Sequence, residues 1–189
     1  MSVFEYIFSL YSLLLGLALA HLLSGLAKVV EAPGKVRLGW PTALLALLMM
    51  SSLTIFWEIA WRARGAVPDN SAALFGSLII CGLLYFAAVL VLPSDAAQRK
   101  DLDDHFFNEK GKVLGCLLLA NILAYGSRYA LMGWSSFAYF SWADWLELSL
   151  FLVACAAGIF VTARKPIIAI LALLLLLNLV DPVSTLLER

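Results

Sequence analysis

The chain has 189 residues, 63% of them hydrophobic and 14% charged, with 13 basic and 13 acidic side chains and a mean hydropathy of +0.94. A soluble domain needs a polar surface that this composition cannot supply, and zero net charge leaves no basic footprint for nucleic acid. These bounds specify an all-α, polytopic membrane protein folded as one compact bundle with no soluble domain.

A spanning helix needs about 20 apolar residues. Six runs qualify or nearly so: Val3–Ala27, Pro41–Trp61, Ser71–Leu92, Val113–Gly133, Trp142–Thr162 and Pro166–Val180. The segment before the first run has no cationic n-region, and the run is too long for a secretory signal, so it is read as a retained first helix. Pro41 and Pro166 suit first-turn positions, and Asp69-Asn70-Ser71 offers N-caps for the third helix. Leu92-Pro93 closes the third helix, while Asp181-Pro182 ends or kinks the sixth. The sixth run is short, and continuation past Pro182 or help from interfacial residues would complete it.

Lys28, Lys35, Arg37, Arg99, Lys100, Lys110, Lys112, Arg164 and Lys165 lie in the loops after helices one, three and five; Arg62, Arg64, Arg128 and Arg189 lie on the other side. That bias places the first set in the cytoplasm and both termini outside, in the periplasm. Trp57, Trp61, Trp134, Trp142 and Trp145 then lie toward the outer face, and Trp40 toward the inner one. The longest loop, 94–112, reads SDAAQRKDLDDHFFNEKGK. Leu102, Phe106 and Phe107 at helical spacing within it predict a short helix lying on the cytoplasmic leaflet. Three helices plus three would permit an inverted repeat, with Ala20-His21 and Ala120-Asn121 as matching midpoints.

The opening FEYIFSLYSLLLGLALAHLLSGLAKV and the stretch DLDDHFFNEK resemble a family of small bacterial membrane proteins with no assigned function. The resemblance covers about a fifth of the chain. It implies a bacterial inner-membrane location and nothing about chemistry.

Polar groups inside a bilayer are costly, so their placement is the best pointer to a site. Ser51, Thr54, Glu58 and Arg62 rise along one face of the second helix, and Asn121, Tyr125 and Arg128 along one face of the fourth. At about 1.5 Å per residue, Asn121 lies near mid-bilayer, and Glu58 and Arg128 roughly 25 Å up. Glu147 on helix five and Asp181 at the end of helix six reach a similar depth, and Asn178 lies a turn deeper. Converging, these faces would form a vestibule open to the outside. Glu58 and Arg128 would fix a polar or charged group, Asn121, Tyr125 and Asn178 would line the floor, and Trp57 and Trp61 would form a wall. On this reading Glu58 and Arg128 approach each other. On the plainer reading Glu58 and Arg62 are an i,i+4 pair snorkelling to the interface, and Trp57 and Trp61 are belt residues.

His21 sits toward the inner end of helix one. A hydrogen-bonded packing role is the first expectation for it, and proton relay or gating the second. No second intramembrane histidine offers a haem ligand, and no cofactor is expected. Ser12, Gly16, Ala20 and Ser24, four residues apart, form a small-residue stripe that admits a close neighbour, expected from the same chain rather than a second copy. Asp101, Asp103, Asp104, His105 and Glu109 match no EF-hand or zinc spacing, and are read as a solvated acidic face. Cys81, Cys116 and Cys155 each sit alone among apolar residues and are read as buried, unpaired thiols. The leading expectation is a protein that binds or transports a small polar solute. A structural or regulatory subunit packed on a partner membrane protein comes second, and the partners considered are a small polar ligand, such a membrane protein, or a second copy in a homo-oligomer. An enzyme comes third, since no nucleophile–base pair is present.

Overall fold

The computed structural model describes residues 3–31, 36–62, 71–93, 95–96, 101–138 and 140–187; the side chains of residues 3–4, 131–132, 136 and 181–187 are not described. Six helices follow one another: α1 (Val3–Val30), α2 (Trp40–Arg62), α3 (Ser71–Val91), α4 (Asp103–Met132), α5 (Trp142–Phe160) and α6 (Arg164–Leu187), with a single 3₁₀ turn, Trp134–Phe137, between α4 and α5. No strand occurs among the described residues. Among the described residues five helices, α1 to α5, are long and apolar enough to cross a membrane. The chain therefore has the make-up of a multi-pass membrane protein.

Local chemistry sets the boundaries. Pro41 and Pro166 fall in the first turns of α2 and α6, where a missing amide hydrogen costs nothing. α3 stops at Val91, ahead of Pro93. Ser141 caps α5: its Oγ accepts from the Asp144 amide at 3.3 Å, while the Asp144 carboxylate accepts from the Ser141 amide at 2.6 Å. α6 does not end at Pro182 but carries on to Leu187. The predicted N-cap pair Asp69 and Asn70, and the basic residues Lys35, Arg64, Arg99, Lys100 and Arg189, lie outside the described residues.

The helices run up and down. Each is packed chiefly on two neighbours, which closes a ring in the order α1, α3, α4, α5, α6, α2, with lighter contacts from α2 to α3 and α4 inside it. The Tyr11 hydroxyl donates to the Phe56 carbonyl at 3.0 Å, tying the start of α1 to the end of α2. At the opposite, lysine-rich end a polar network locks the ring. Lys110 is 3% exposed and donates from Nζ to the carbonyls of Gly158 and Ile159, both at 3.0 Å. The Asp103 carboxylate meets Arg164 at 2.7 Å. The Leu102 amide donates to the Arg37 carbonyl at 3.3 Å, and Thr42 donates to the Leu102 carbonyl at 3.4 Å.

This network corrects two expectations for the 94–112 segment. Where a separate helix on the leaflet was expected, α4 begins at Asp103 and runs for 30 residues. Leu102 and Phe106 are buried at 0% and 1% exposure, because they face the bundle rather than lipid headgroups. The acidic face is only partly solvated. Asp104 is exposed, whereas Asp103 is buried against Arg164.

The α1 stripe corrects a third expectation. The buried line of α1 runs through Ile7, Tyr11, Leu15, Ala18, Leu22 and Val29. Ser12, Gly16, Ala20 and Ser24 diverge from it, from about a quarter-turn at Ser12 to about a half-turn at Ala20 and Ser24. Gly16, Ala20 and Ser24 are exposed, and no atom lies within 4 Å of a Cβ built at Gly16. Among the described residues no helix covers Gly16, Ala20 or Ser24, whereas Ser12 is half-buried with its Oγ enclosed.

Candidate functional site

Spacing along each helix decides which polar residues face inward. On α6 the buried line Ile167, Leu171, Leu174 continues, four residues on, to Asn178. On α5 the buried positions Gly158, Ala154 and Phe151 continue at the same spacing to Glu147. On α4, Leu114 is fully buried, and Asn121 and Arg128 follow it at successive heptad steps. All four polar residues are half-buried. They prolong core-facing lines into the tryptophan-rich half of the bundle.

Full burial stops as those lines turn polar. Among the described residues, the last buried position of α4 toward that end is Ala120, that of α5 is Phe151 and that of α6 is Leu174. α1 and α2 stay packed further, through Ile7 and Phe56, and α3 through Ala73. On α4, α5 and α6 full burial is thus confined to the lysine-rich half, and their described side chains beyond it are half-buried or exposed.

Asn178 lies one turn past the last fully buried position of α6. Its Nδ2 donates to Ser51 Oγ at 3.0 Å and to Ser52 Oγ at 2.9 Å. Asn121, a residue whose commonest use at mid-membrane is an interhelical bond, donates instead to the Leu117 carbonyl of its own helix at 2.9 Å. Toward the tryptophan-rich end, the Arg128 guanidinium lies over the rings of Phe137 and Phe140, 5.2 and 5.3 Å from their centroids. Tyr125 sits edge-on to Phe140 at 6.3 Å, and Trp145 packs against both phenylalanines. Phe137 is 7% exposed, so the segment after α4 folds back as a buried aromatic cover beside Arg128.

Glu58, Trp57 and Trp61 lie elsewhere. The inward line of α2 is Leu45, Met49, Ser52 and Phe56. Glu58 is two residues past Phe56, more than half a turn round the helix. Glu58 is 46% exposed and pairs with Arg62 at 2.5 Å, one turn along its own helix, rather than with Arg128. Trp57 and Trp61 are exposed beside it and, with Phe8 and Thr54, border a shallow open groove of about 450 Å³. The expected set therefore divides in two: Asn121, Tyr125, Arg128, Glu147 and Asn178, half-buried on or beside the core-facing lines of α4, α5 and α6, and Glu58, Trp57 and Trp61 on the outer surface of α2. The side chain of Asp181 is outside the described residues.

His21 is half-buried and has no side-chain hydrogen bond among the described residues, unlike the bonded packing histidine expected. Cys81 and Cys155 are buried, Cys116 is half-buried, and all three thiols are free. No cluster of potential metal ligands occurs among the described residues. The sequence reading missed Ser52, the Phe137–Phe140 cover and the Lys110 tie. The first was legible as a member of the 45, 49, 52, 56 spacing. The second was hinted at by the aromatic density of 134–145. A lysine directed at helix-end carbonyls left no signal.

Comparison with protein-family models, with curated protein sequences and with solved structures gave no match.

Proposed function

We propose that this chain is a six-span protein of the bacterial cytoplasmic membrane that binds or transports a small polar or charged solute. The solute enters a vestibule between α4, α5 and α6, open at the tryptophan-rich end. One observation carries this reading: polar side chains replace apolar ones on three core-facing lines at the level where full burial ends. A helix that only needed to pack would keep leucine there, since an inward polar group in a bilayer is expensive. Arg128 and Glu147 offer charge of both signs near the mouth, Tyr125 and Asn121 line the wall, and Asn178 with Ser51 and Ser52 forms the floor. Below the floor Leu117, Leu171 and Leu174 act as a dry plug. The lysine-rich end faces the cytoplasm on this reading and both termini face out, which reporter fusions at the C-terminus test.

The binding test is thermal unfolding of the detergent-purified protein against a panel of amino acids, carboxylates and amines. At least one class should raise the midpoint, and Arg128→Gln or Glu147→Gln should remove that rise. A flat response across the panel counts against the solute reading.

A second reading, a subunit packed on a partner membrane helix, is favoured by the exposed α1 stripe at Gly16, Ala20 and Ser24. Cross-linking from cysteines placed on that stripe separates the two.

A further inference from the structure

The polar groups on the outward face of α2 are not part of the vestibule, and their arrangement has a chemistry of its own. Glu58 and Arg62 sit near one end of a 23-residue span, on the side opposite the core. A residue in that position meets lipid headgroups rather than bulk water or protein. Arg62 occupies Glu58 Oε1, while no side chain among the described residues takes Oε2. Thr54, one turn below, donates its hydroxyl hydrogen to the Met50 carbonyl at 3.0 Å, which leaves the oxygen's lone pairs as acceptors. Trp57 flanks these acceptors, and the rings of Phe8 and Trp61 meet at 5.5 Å across the groove.

We propose that this groove between α1 and α2 binds the headgroup of a primary-amine phospholipid, with the ammonium at Glu58 and Thr54 and the phosphate at Arg62. The charge pattern matches a zwitterion: a carboxylate with a spare oxygen, and a guanidinium with spare N–H donors, one helical turn apart. The tryptophan faces favour a cation beside them. A primary ammonium has three N–H donors for the carboxylate and hydroxyl acceptors, and a quaternary ammonium has none. A lipid with no amine leaves Glu58 unmatched and its negative charge opposed. The acyl chains would lie along the apolar surface of α1 and α2 below the groove.

The test equilibrates the purified full-length protein in mixed micelles holding equal amounts of phosphatidylethanolamine, phosphatidylcholine and phosphatidylglycerol with identical acyl chains. Retained lipid is then counted by native mass spectrometry. The ethanolamine lipid should be retained several-fold over both others. Glu58→Gln and Thr54→Val, both surface changes that leave the core untouched, should each bring that ratio toward one. Equal retention of the ethanolamine and choline lipids overturns the proposal, because the N–H donors would then not be read. A preference for the glycerol lipid overturns it too, as does an ethanolamine preference that survives Glu58→Gln.

Discussion

The Asn178 side-chain amide donates to two adjacent serines at once, Ser51 at 3.0 Å and Ser52 at 2.9 Å, and so ties α6 to α2 one turn past the last fully buried position of α6. Interhelical hydrogen bonds of this kind in a bilayer average about 0.6 kcal/mol and reach about 1.7. Asn178→Ala and Ser52→Ala should therefore be coupled. In a double-mutant cycle followed by unfolding in detergent, a coupling energy of about 0.5–1.5 kcal/mol is expected. Strict additivity would mean that the amide does not hold the serines.

Lys110 should be a larger contributor. Its ammonium is buried and satisfies two carbonyls at the end of α5. Lys110→Met keeps the stem but leaves both carbonyls without a donor, and a loss of about 1–3 kcal/mol should appear in chemical unfolding. A stability equal to that of the parent would show that water replaces the amine there.

Two glycines of α1 should respond in opposite ways to the same methyl group. A Cβ at Gly25 would lie 2.9 Å from Leu92 Cδ1 and 3.2 Å from Leu92 Cβ. Gly25→Ala should destabilise by about 1–2 kcal/mol, since Leu92 is buried and anchored near its own backbone. Gly16→Ala meets nothing within 4 Å and should be neutral, or stabilising by up to about 1 kcal/mol from helix propensity. Loss of an oligomer on Gly16→Ala would instead assign the stripe to a second copy.

Water access should follow the burial pattern. In a chain with its three native cysteines replaced, Tyr125→Cys and Asn178→Cys should react with a polar thiol reagent in intact membranes. Leu117→Cys and Leu174→Cys, at fully buried positions, should not. Rapid labelling of Leu117→Cys would turn the closed vestibule into a through-channel.

How much of this was legible in the sequence depended on which rule governed each residue. Spans followed from apolar length, and ends from proline: Pro41, Pro93 and Pro166 all mark them. Polar stripes were visible too, but their direction was not. Glu58 and Arg128 each lie on a polar stripe, and only the burial line of the helix distinguishes outward from inward. For α2 that line, Leu45, Met49, Ser52 and Phe56, passes through a serine and is obscured by apolar residues on most other positions. In 94–112 a charged background hid Leu102 and Phe106, because the structure buries Asp103 and Lys110 with them by pairing one and hydrogen-bonding the other. A pattern of solvation is readable in sequence only when the charges stay solvated.

The passage of α6 through Pro182 affects the backbone at the floor as well as the side chains. Proline carries no amide hydrogen, so the carbonyl oxygen four residues back, that of Asn178, lacks its usual helical donor. At membrane depth such an oxygen takes its hydrogen from a neighbouring side chain, from water or from a guest. Asn178 thus faces its surroundings twice: its side chain donates toward α2, and its main chain accepts. A solute bearing an N–H or O–H group would meet there an acceptor that no substitution of Asn178 itself can delete, whereas Pro182→Ala would restore the missing amide and withdraw it.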